Sequence, residues 1–167
     1  MTKQSMVWLA FETDINSEGD YELRAVLLAP LDGSITTVSH AGKLQISAFS
    51  IESEVYHWPN LKLVPLATIP KLQGLALTDV VSEPLAAQKK QAFRFGKLPD
   101  QARQYLVITF TPQGYAMLTA NPKITAPYVK SIDLGLVSMR GAAEIPDGPV
   151  AGLLLNGFNG QIQILRR

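Results

Sequence analysis

A turn between two apolar runs sets the fold class of this chain. The segment 105–119 carries the turn sequence Thr-Pro-Gln-Gly at positions 111–114, between two runs of β-prone residues. Pro112 presets φ for the second position of a type I turn, and Gly114 can adopt the positive φ that often follows such a turn. Side chains alternate on both sides of the turn, as they do along strands. The pattern predicts a β-hairpin in the core.

Two further hairpins are predicted near the ends of the sequence. Strand-prone residues at 5–13 and 21–29 flank a polar loop at 14–20, and segments 150–155 and 161–165 flank a glycine-rich turn at 156–160. In the last segment Ile162 and Ile164 alternate with Gln161 and Gln163, so the two residue types lie on opposite faces of a strand. A strand is also predicted at 128–137, with short β pieces at 35–38 and 44–51.

The middle of the chain predicts edge strands and one short helix. Pro59, Pro65 and Pro70 interrupt the segment 54–74, which excludes a helix and disfavours a central strand. Ser82 as an N-cap, Pro84 in the first turn and the helix formers that follow predict a short helix near residues 82–95. The predicted fold class is therefore α+β, mostly β, with antiparallel sheets built from hairpins.

The amino-acid composition limits the classes of protein to which this chain can belong. The chain has 167 residues, of which 47% are hydrophobic, enough for a core in one β-rich domain spanning residues 1–167. It contains no cysteine, which excludes disulfides, thiol nucleophiles and thiolate metal ligands. A net charge of +1 provides neither a footprint for nucleic acid nor a polybasic membrane anchor. Proteins or small neutral molecules are the expected partners, and nucleic acid is not.

No residue pattern predicts catalysis or a bound metal. His40 and His57 stand alone, without a second ligand at metal-binding spacing. The serines at 34 and 138 lack the Gly-x-Ser-x-Gly pattern of a nucleophile elbow. The acidic residues at 14–20 and 52–54 are typical of solvated loops. The sequence therefore predicts a protein that is not an enzyme and has no cofactor or metal.

One aromatic cluster is a candidate binding site. Tyr56, His57 and Trp58 precede Pro59 in the irregular middle segment, where their rings could stack on a sugar ring or on a partner side chain. The alternative is that these rings cover the edge of the β core, as loop aromatics usually do. Trp8 lies in a strand and is predicted to be buried.

Three segments together resemble the soluble domain of minor pseudopilins. Residues 3–11 resemble the end of the family's N-terminal helix as it enters the first strand. Residues 108–114 resemble its strand with a Phe-x-Pro-x-Gly-type turn, and residues 153–164 resemble its closing strand–glycine turn–strand. The similarity is to the GspH/FimT-type pseudopilins of type II secretion and type IV pilus systems and to related prepilin-like proteins.

The resemblance implies a pseudopilin-like β-sandwich and a structural role. Its expected partners are other pseudopilin-like subunits or secretion-system proteins, with which it would pack into a short pilus-like filament. It also implies an extracytoplasmic location on the periplasmic side, with an inner-membrane anchor supplied by an N-terminal helix that these residues do not include. The alternative function is a β-sandwich-like module that binds carbohydrate or peptide through the aromatic residues around Trp58.

Overall fold

The computed structural model describes residues 7–30, 49–51, 55–73, 82–88, 90–93, 103–118 and 130–167. These residues are mostly β, with antiparallel sheets and almost no helix, as the sequence predicts. The strands, in chain order, are β1 (Val7–Ile15), β2 (Tyr21–Pro30), β3 (Phe49–Ile51), β4 (Tyr56–Pro59), β5 (Leu61–Val64), β6 (Glu83–Pro84), β7 (Gln91–Phe93), β8 (Arg103–Phe110), β9 (Ala116–Met117), β10 (Ser131–Arg140), β11 (Ala143–Glu144), β12 (Val150–Asn156) and β13 (Ile162–Arg166).

The strands form two sheets. The first has the order β3-β2-β1-β8-β7, with β4 also paired to β2 and β9 also paired to β8. The second has the order β11-β10-β12-β13, with β5 and β6 also paired to β10. The pairing of β6 with β10 is a two-residue parallel contact, and the other pairs are antiparallel. The predicted hairpins β1–β2, β8–β9 and β12–β13 are therefore confirmed.

The two sheets share one apolar core. Each sheet directs alternate side chains toward the other, which is the arrangement of a β-sandwich. The buried residues of this core are Phe11, Leu23, Ala25, Leu63, Leu85, Leu106, Ile108, Ala116, Ile132, Leu134 and Leu155. The opposite face of the first sheet is also buried at its centre, where Trp8 is 1% exposed and Thr109 is fully buried. The prediction that Trp8 is buried is confirmed.

A second apolar cluster covers the outer face of the second sheet. Two single turns of 3₁₀ helix, Leu66–Thr68 and Pro70–Leu72, place Leu66, Ile69 and Leu72 against β10 and β12. Gly135 and Gly152 face each other across these strands at that point. A Cβ on Gly135 would lie 2.8 Å from Ile69 Cδ1, and one on Gly152 would collide with Leu66. Because glycine has no side chain, these two positions leave the space that Leu66, Ile69 and Leu72 fill.

Asn60 connects the two sheets as the single residue between β4 and β5. Its φ is +59°, a left-handed conformation that asparagine tolerates better than most residues. Its N–H donates to the carbonyl of Tyr21 in the first sheet at 2.7 Å, and its carbonyl accepts from Met139 N–H in the second sheet at 2.8 Å. The chain therefore changes sheets at Asn60 while both backbone groups stay hydrogen-bonded.

The turn at 111–114 adopts the predicted geometry. Gly114 has φ +88°, and its N–H donates to the carbonyl of Thr111 at 2.9 Å. Thr111 N–H in turn donates to the carbonyl of Tyr115, which closes the hairpin. The N–H of Ala116, just beyond the turn, donates to the carbonyl of Gly157 at 2.8 Å. The central hairpin is thus fixed to the turn that joins β12 and β13.

The α-helix predicted near residues 82–95 is wrong for the described part of that segment. The segment holds β6, one turn of 3₁₀ helix at Leu85–Ala87, and β7. Ser82 does not cap a helix, because its hydroxyl donates to the carboxylate of Asp133 at 2.7 Å. Pro84 is extended, Leu85 is fully buried in the shared core, and β7 pairs with β8. Tertiary burial and strand pairing outweigh the local helix propensity.

Several other sequence predictions can be compared only in part. The segment with three prolines is extended as predicted in strands β4 and β5, but the prediction is wrong for Leu66–Thr68 and Pro70–Leu72, which form single turns of 3₁₀ helix. The predicted strand at 128–137 is observed at Ser131–Arg140. The predicted strand at 35–38, His40 and residues 44–48 lie outside the described residues. Among the described residues, no helix is long and apolar enough to cross a membrane.

Replacing Gly114 by Val tests the turn. A β-branched side chain would be forced into the positive φ of this position, so we expect the free energy of unfolding to fall by about 1–3 kcal/mol. The measurement is chemical denaturation, with Gln113→Val as the control because Gln113 is exposed at the same turn and has no positive φ. Equal effects of the two substitutions would contradict this account.

Candidate functional site

The aromatic cluster predicted from the sequence lies on the edge strand β4. Tyr56 is opposite Ala25 and Trp58 is opposite Leu23, so both rings lie on the face of the first sheet that points toward the shared core. His57 is opposite Arg24 and therefore lies on the other face. The three residues are adjacent in sequence but do not form one platform.

Tyr56 and Trp58 form a stacked pair at the open side of the sandwich. Their ring centroids are 5.9 Å apart and the ring planes differ by 13°. Tyr56 is 55% exposed and Trp58 is 39% exposed, and the neighbouring Val55 is exposed as well. The rings thus lie beside the core, where the alternative interpretation of the sequence places them, and still expose a large part of their surface. Two parallel, accessible aromatic faces can stack on a sugar ring or on a flat apolar side chain.

His57 belongs to a charged cluster on the opposite face. Its Nε2 lies 3.1 Å from Glu22 Oε2, and the same oxygen accepts from Arg24 Nη2 at 2.6 Å. Arg24 Nη1 lies 3.6 Å from Glu12, which is buried. Asn16 donates to the other Glu22 oxygen at 3.5 Å. His57 is therefore held beside the Glu22 carboxylate in a charged network on the face away from the two rings.

The network lowers the pKa of Glu22. The hydrogen bond from Arg24 is the largest cause, and the hydrogen bond from His57 follows, so the pKa of this carboxyl lies below its ordinary value of 4.5. Glu22 and Arg24 were not predicted as a site from the sequence. Their two-residue spacing on a strand puts them on one face, but only the pairing of β2 with β4 brings His57 to them.

Asp133 is a second polar residue that the sequence did not single out. It is 4% exposed in the middle of β10. One carboxylate oxygen accepts from Leu66 N–H at 2.8 Å, and the other accepts from Ser82 Oγ at 2.7 Å. The carboxylate thus fixes the start of the first 3₁₀ turn and the segment before β6. Both oxygens are engaged, so this buried acid has a structural role.

A shallow cavity lies where two polar loops meet. It has a volume of about 530 Å³ and is lined by Asp20, Pro59, Asn60, Leu61, Ser138, Met139, Arg140, Gly141, Ile145 and Pro149. Ser138 Oγ, in this lining, donates to the carbonyl of Pro149 at 2.8 Å. The loops at 14–20 and 141–149 thus border one surface of the corner formed by Asn60. The lining carries no predicted catalytic pair.

The remaining sequence candidates are not brought together. Within the described ranges, no group of three or more histidine and acidic residues is placed to hold a metal ion. The acidic loop at 14–20 is organised by Asn16, whose side-chain oxygen accepts from Glu18 N–H and Asp20 N–H at 2.9 Å each. His40, the serine at 34 and the acidic residues at 52–54 lie outside the described residues.

Comparisons with known proteins leave the family open. The chain matches no protein-family model, and its comparison with curated proteins and with solved structures gives no match either. The function therefore has to be argued from the residues and from the geometry described above.

Replacing Glu22 by Gln tests the charged network through its pH dependence. Because the pKa of Glu22 is lower in the folded protein than in the unfolded chain, its ionised form stabilises the fold above pH 4.5, and this contribution is lost as the pH falls through the folded pKa. We expect Glu22→Gln to destabilise the protein at pH 7 and to have a much smaller effect near about pH 3. The measurement is chemical denaturation at both pH values.

Glu144→Gln is the matched control for this experiment. Glu144 is exposed and lies 3.8 Å from Lys62, so its replacement is expected to change stability little at either pH. A Glu22→Gln effect of the same size at both pH values would contradict the electrostatic account and would assign the loss to packing.

Proposed function

We propose that this chain is a non-enzymatic structural or assembly subunit of the pseudopilin-like type. In this role it packs with other pseudopilin-like subunits or secretion-system proteins into a short pilus-like filament of a secretion or pilus system. Its location is extracytoplasmic, and an N-terminal helix outside this sequence anchors it in the inner membrane. The proposal rests on the resemblance carried by three segments of the sequence.

The observation that supports it most is that the described parts of these three segments lie next to one another in the fold. β1 pairs with β8 from Val7 opposite Phe110 to Phe11 opposite Leu106. The turn after β8 leads to Ala116, whose N–H donates to the carbonyl of Gly157 at 2.8 Å, in the turn between β12 and β13. Segments that are distant in sequence thus form one continuous unit, as expected if they were inherited together as a family core.

The surface chemistry is compatible with a binding role. The polar loops at 14–20 and 141–149 border the cavity at the sandwich corner, and surface loops of this kind are where partner selection is usually located. Ion pairs along this side, such as Lys71 with Asp147 at 3.7 Å, are exposed and weak. Such exposed ion pairs can be replaced by contacts with a partner at little cost in free energy.

Processing and localisation in the native host test the proposal. The gene is expressed from its own locus, and the product is followed with an antibody in cell fractions from the wild type and from a strain lacking prepilin peptidase. We expect a membrane-associated product that becomes larger when the peptidase is absent, because the leader is then retained. Chemical cross-linking in wild-type cells is expected to join it to another pilin-like subunit.

Other results would contradict the proposal. A product found in the soluble cytoplasmic fraction, with the same size in both strains, would exclude a prepilin-like protein. Another peptidase substrate from the same cells serves as the control for loss of processing.

The stacked pair on β4 favours a second candidate function, a binding module for carbohydrate or peptide. Here Tyr56 and Trp58 supply the accessible aromatic faces, and the ligand would be an extended molecule that follows the edge of the first sheet. This function does not depend on filament assembly. His57 points to the opposite face, so it would act only by fixing the backbone of the edge strand through Glu22.

Replacing Trp58 by Ala tests this second function. Removing one ring of the pair is expected to abolish retention on the immobilised glycan or peptide that the wild type binds, because stacking area is lost. The measurement is chromatography on a panel of glycans and peptides, and thermal denaturation checks that the variant folds. Phe158→Ala is the control, since Phe158 is also half exposed but lies in the β12–β13 turn. Unchanged retention of the Trp58 variant would exclude the aromatic pair as the site.

A further inference from the structure

Strand β13 lies at the edge of the second sheet as formed by the described residues, and it exposes two isoleucines. β13 is the last strand in the order β11-β10-β12-β13, and among the described residues it pairs only with β12. Ile162 is 61% exposed and Ile164 is 55% exposed. The sequence predicts that these two residues share a face, and their positions opposite Leu155 and Leu153 of β12 confirm that they do. Large apolar side chains on an unpaired edge are what native sheets usually avoid.

Within the described part of the chain, β13 also has backbone groups without a strand partner. Asn156 N–H donates to the carbonyl of Gln161 at 2.8 Å. Val150 N–H donates to the carbonyl of Arg167 at 3.2 Å, and Arg167 N–H donates to the carbonyl of Val150 at 3.4 Å. In an antiparallel pair such bonded positions alternate, so the odd-numbered residues of β13 direct their N–H and C=O groups toward β12. The N–H and C=O groups of Ile162, Ile164 and Arg166 therefore point away from the sheet.

The exposed isoleucines continue the inner face of the sandwich. Ile162 is opposite Leu155 and Ile164 is opposite Leu153, and these two leucines belong to or pack against the shared core. On the opposite face of the strand, Leu165 is buried in the second apolar cluster. A strand added beside β13 would therefore extend an apolar surface that already exists.

We propose that β13 pairs antiparallel with β13 of a second copy of this chain, which joins the two second sheets into one continuous sheet. The geometry favours the register in which Ile162 of each copy is opposite Ile164 of the other. Both residues direct their backbone groups outward, so they form hydrogen-bonded pairs with their counterparts. Gln163 is then opposite itself at the two-fold axis, and its polar side chain faces the other side of the sheet.

Charge and symmetry select this arrangement. In the antiparallel register, Arg166 lies opposite the uncharged Gly160 of the second copy. A parallel arrangement would place Arg166 and Arg167 of the two copies side by side, where like charges repel. Shifting the antiparallel register by two residues in one direction would place Arg166 opposite Ile162. Shifting it by two residues in the other direction would place Ile164 opposite Gly160, so among these self-complementary registers the chosen one pairs both isoleucines of each copy with isoleucine.

The contact is small, so the dimer is expected to be reversible and weak. It goes beyond the proposed function and does not rest on it, since it uses only the β12–β13 hairpin. A dimer could form whether the chain assembles into filaments or binds a ligand at β4.

Sedimentation of the 167-residue chain over a range of concentrations tests the dimer. The mass of the wild type is expected to rise from 18.2 kDa toward twice that value as concentration increases. Ile164→Lys adds a charge to the apolar pair and is expected to leave a monomer at every concentration. Ile15→Lys is the matched control, because Ile15 is similarly exposed at the end of β1, and it should dimerise like the wild type.

Cysteine cross-linking tests the register. The chain has no native cysteine, so any disulfide of a single-cysteine variant joins two copies. Gln163→Cys places the new thiols opposite each other at the two-fold axis, within the Cα separation that a disulfide needs. It is expected to cross-link rapidly on mild oxidation. Gln161→Cys is the control, because the two copies of residue 161 are offset by four residues and should cross-link slowly.

Three results would overturn the proposal. They are a wild type that stays monomeric up to about 1 mM, an Ile164→Lys variant that dimerises like the wild type, and cross-linking of Gln161→Cys in preference to Gln163→Cys. Circular dichroism and thermal denaturation identify a variant that fails to fold. In that case the cysteine pair, which changes only exposed polar side chains, still decides the outcome.

Discussion

The change of sheet at Asn60 is the constraint on which the rest of the described fold depends. Edge strand β4 and strand β5 follow each other with one residue between them, so the first and second sheets are tied at a fixed position. Asn60 forms a backbone hydrogen bond with Tyr21 in the first sheet and another with Met139 in the second. Neither sheet can therefore slip by one residue without losing a hydrogen bond. The facing positions of the shared core follow from this alignment.

The second sheet depends in turn on two glycines, which have no side chain, and on the buried side chain of Asp133. Gly135 and Gly152 leave room for the 3₁₀ turns to approach β10 and β12 closely, and Asp133 binds the first of these turns through Leu66 N–H. Without the glycines the apolar residues of the turns could not reach the sheet. Without the carboxylate, the donors at Leu66 and Ser82 would lose their partners at cost to stability.

Local patterns predicted those parts of the fold that local geometry determines. The alternation and turn residues around Gly114 predict both the hairpin and the positive φ, because a tight turn restricts few residues strongly. The helix near 82–95 was predicted from the same kind of signal and is wrong for the described residues, because Leu85 packs in the shared core and Ser82 donates to Asp133 of β10. At the candidate site the sequence singled out Tyr56, His57 and Trp58 together because the prolines indicated an irregular segment. The structure has strand β4 there, whose alternation puts His57 on the other face from the two rings.

The two exposed apolar surfaces lie on different sides of the sandwich, and this decides how they can act together. β4 joins β5 through Asn60, whereas β13 is separated from β5 by β10 and β12. A second copy paired at β13 would therefore leave Tyr56 and Trp58 of both copies accessible. The proposed self-association at β13 and ligand binding at β4 would therefore not compete for surface. Dimer formation would instead present two aromatic pairs, one on the first sheet of each copy, and an extended ligand that binds both would gain affinity through bivalency.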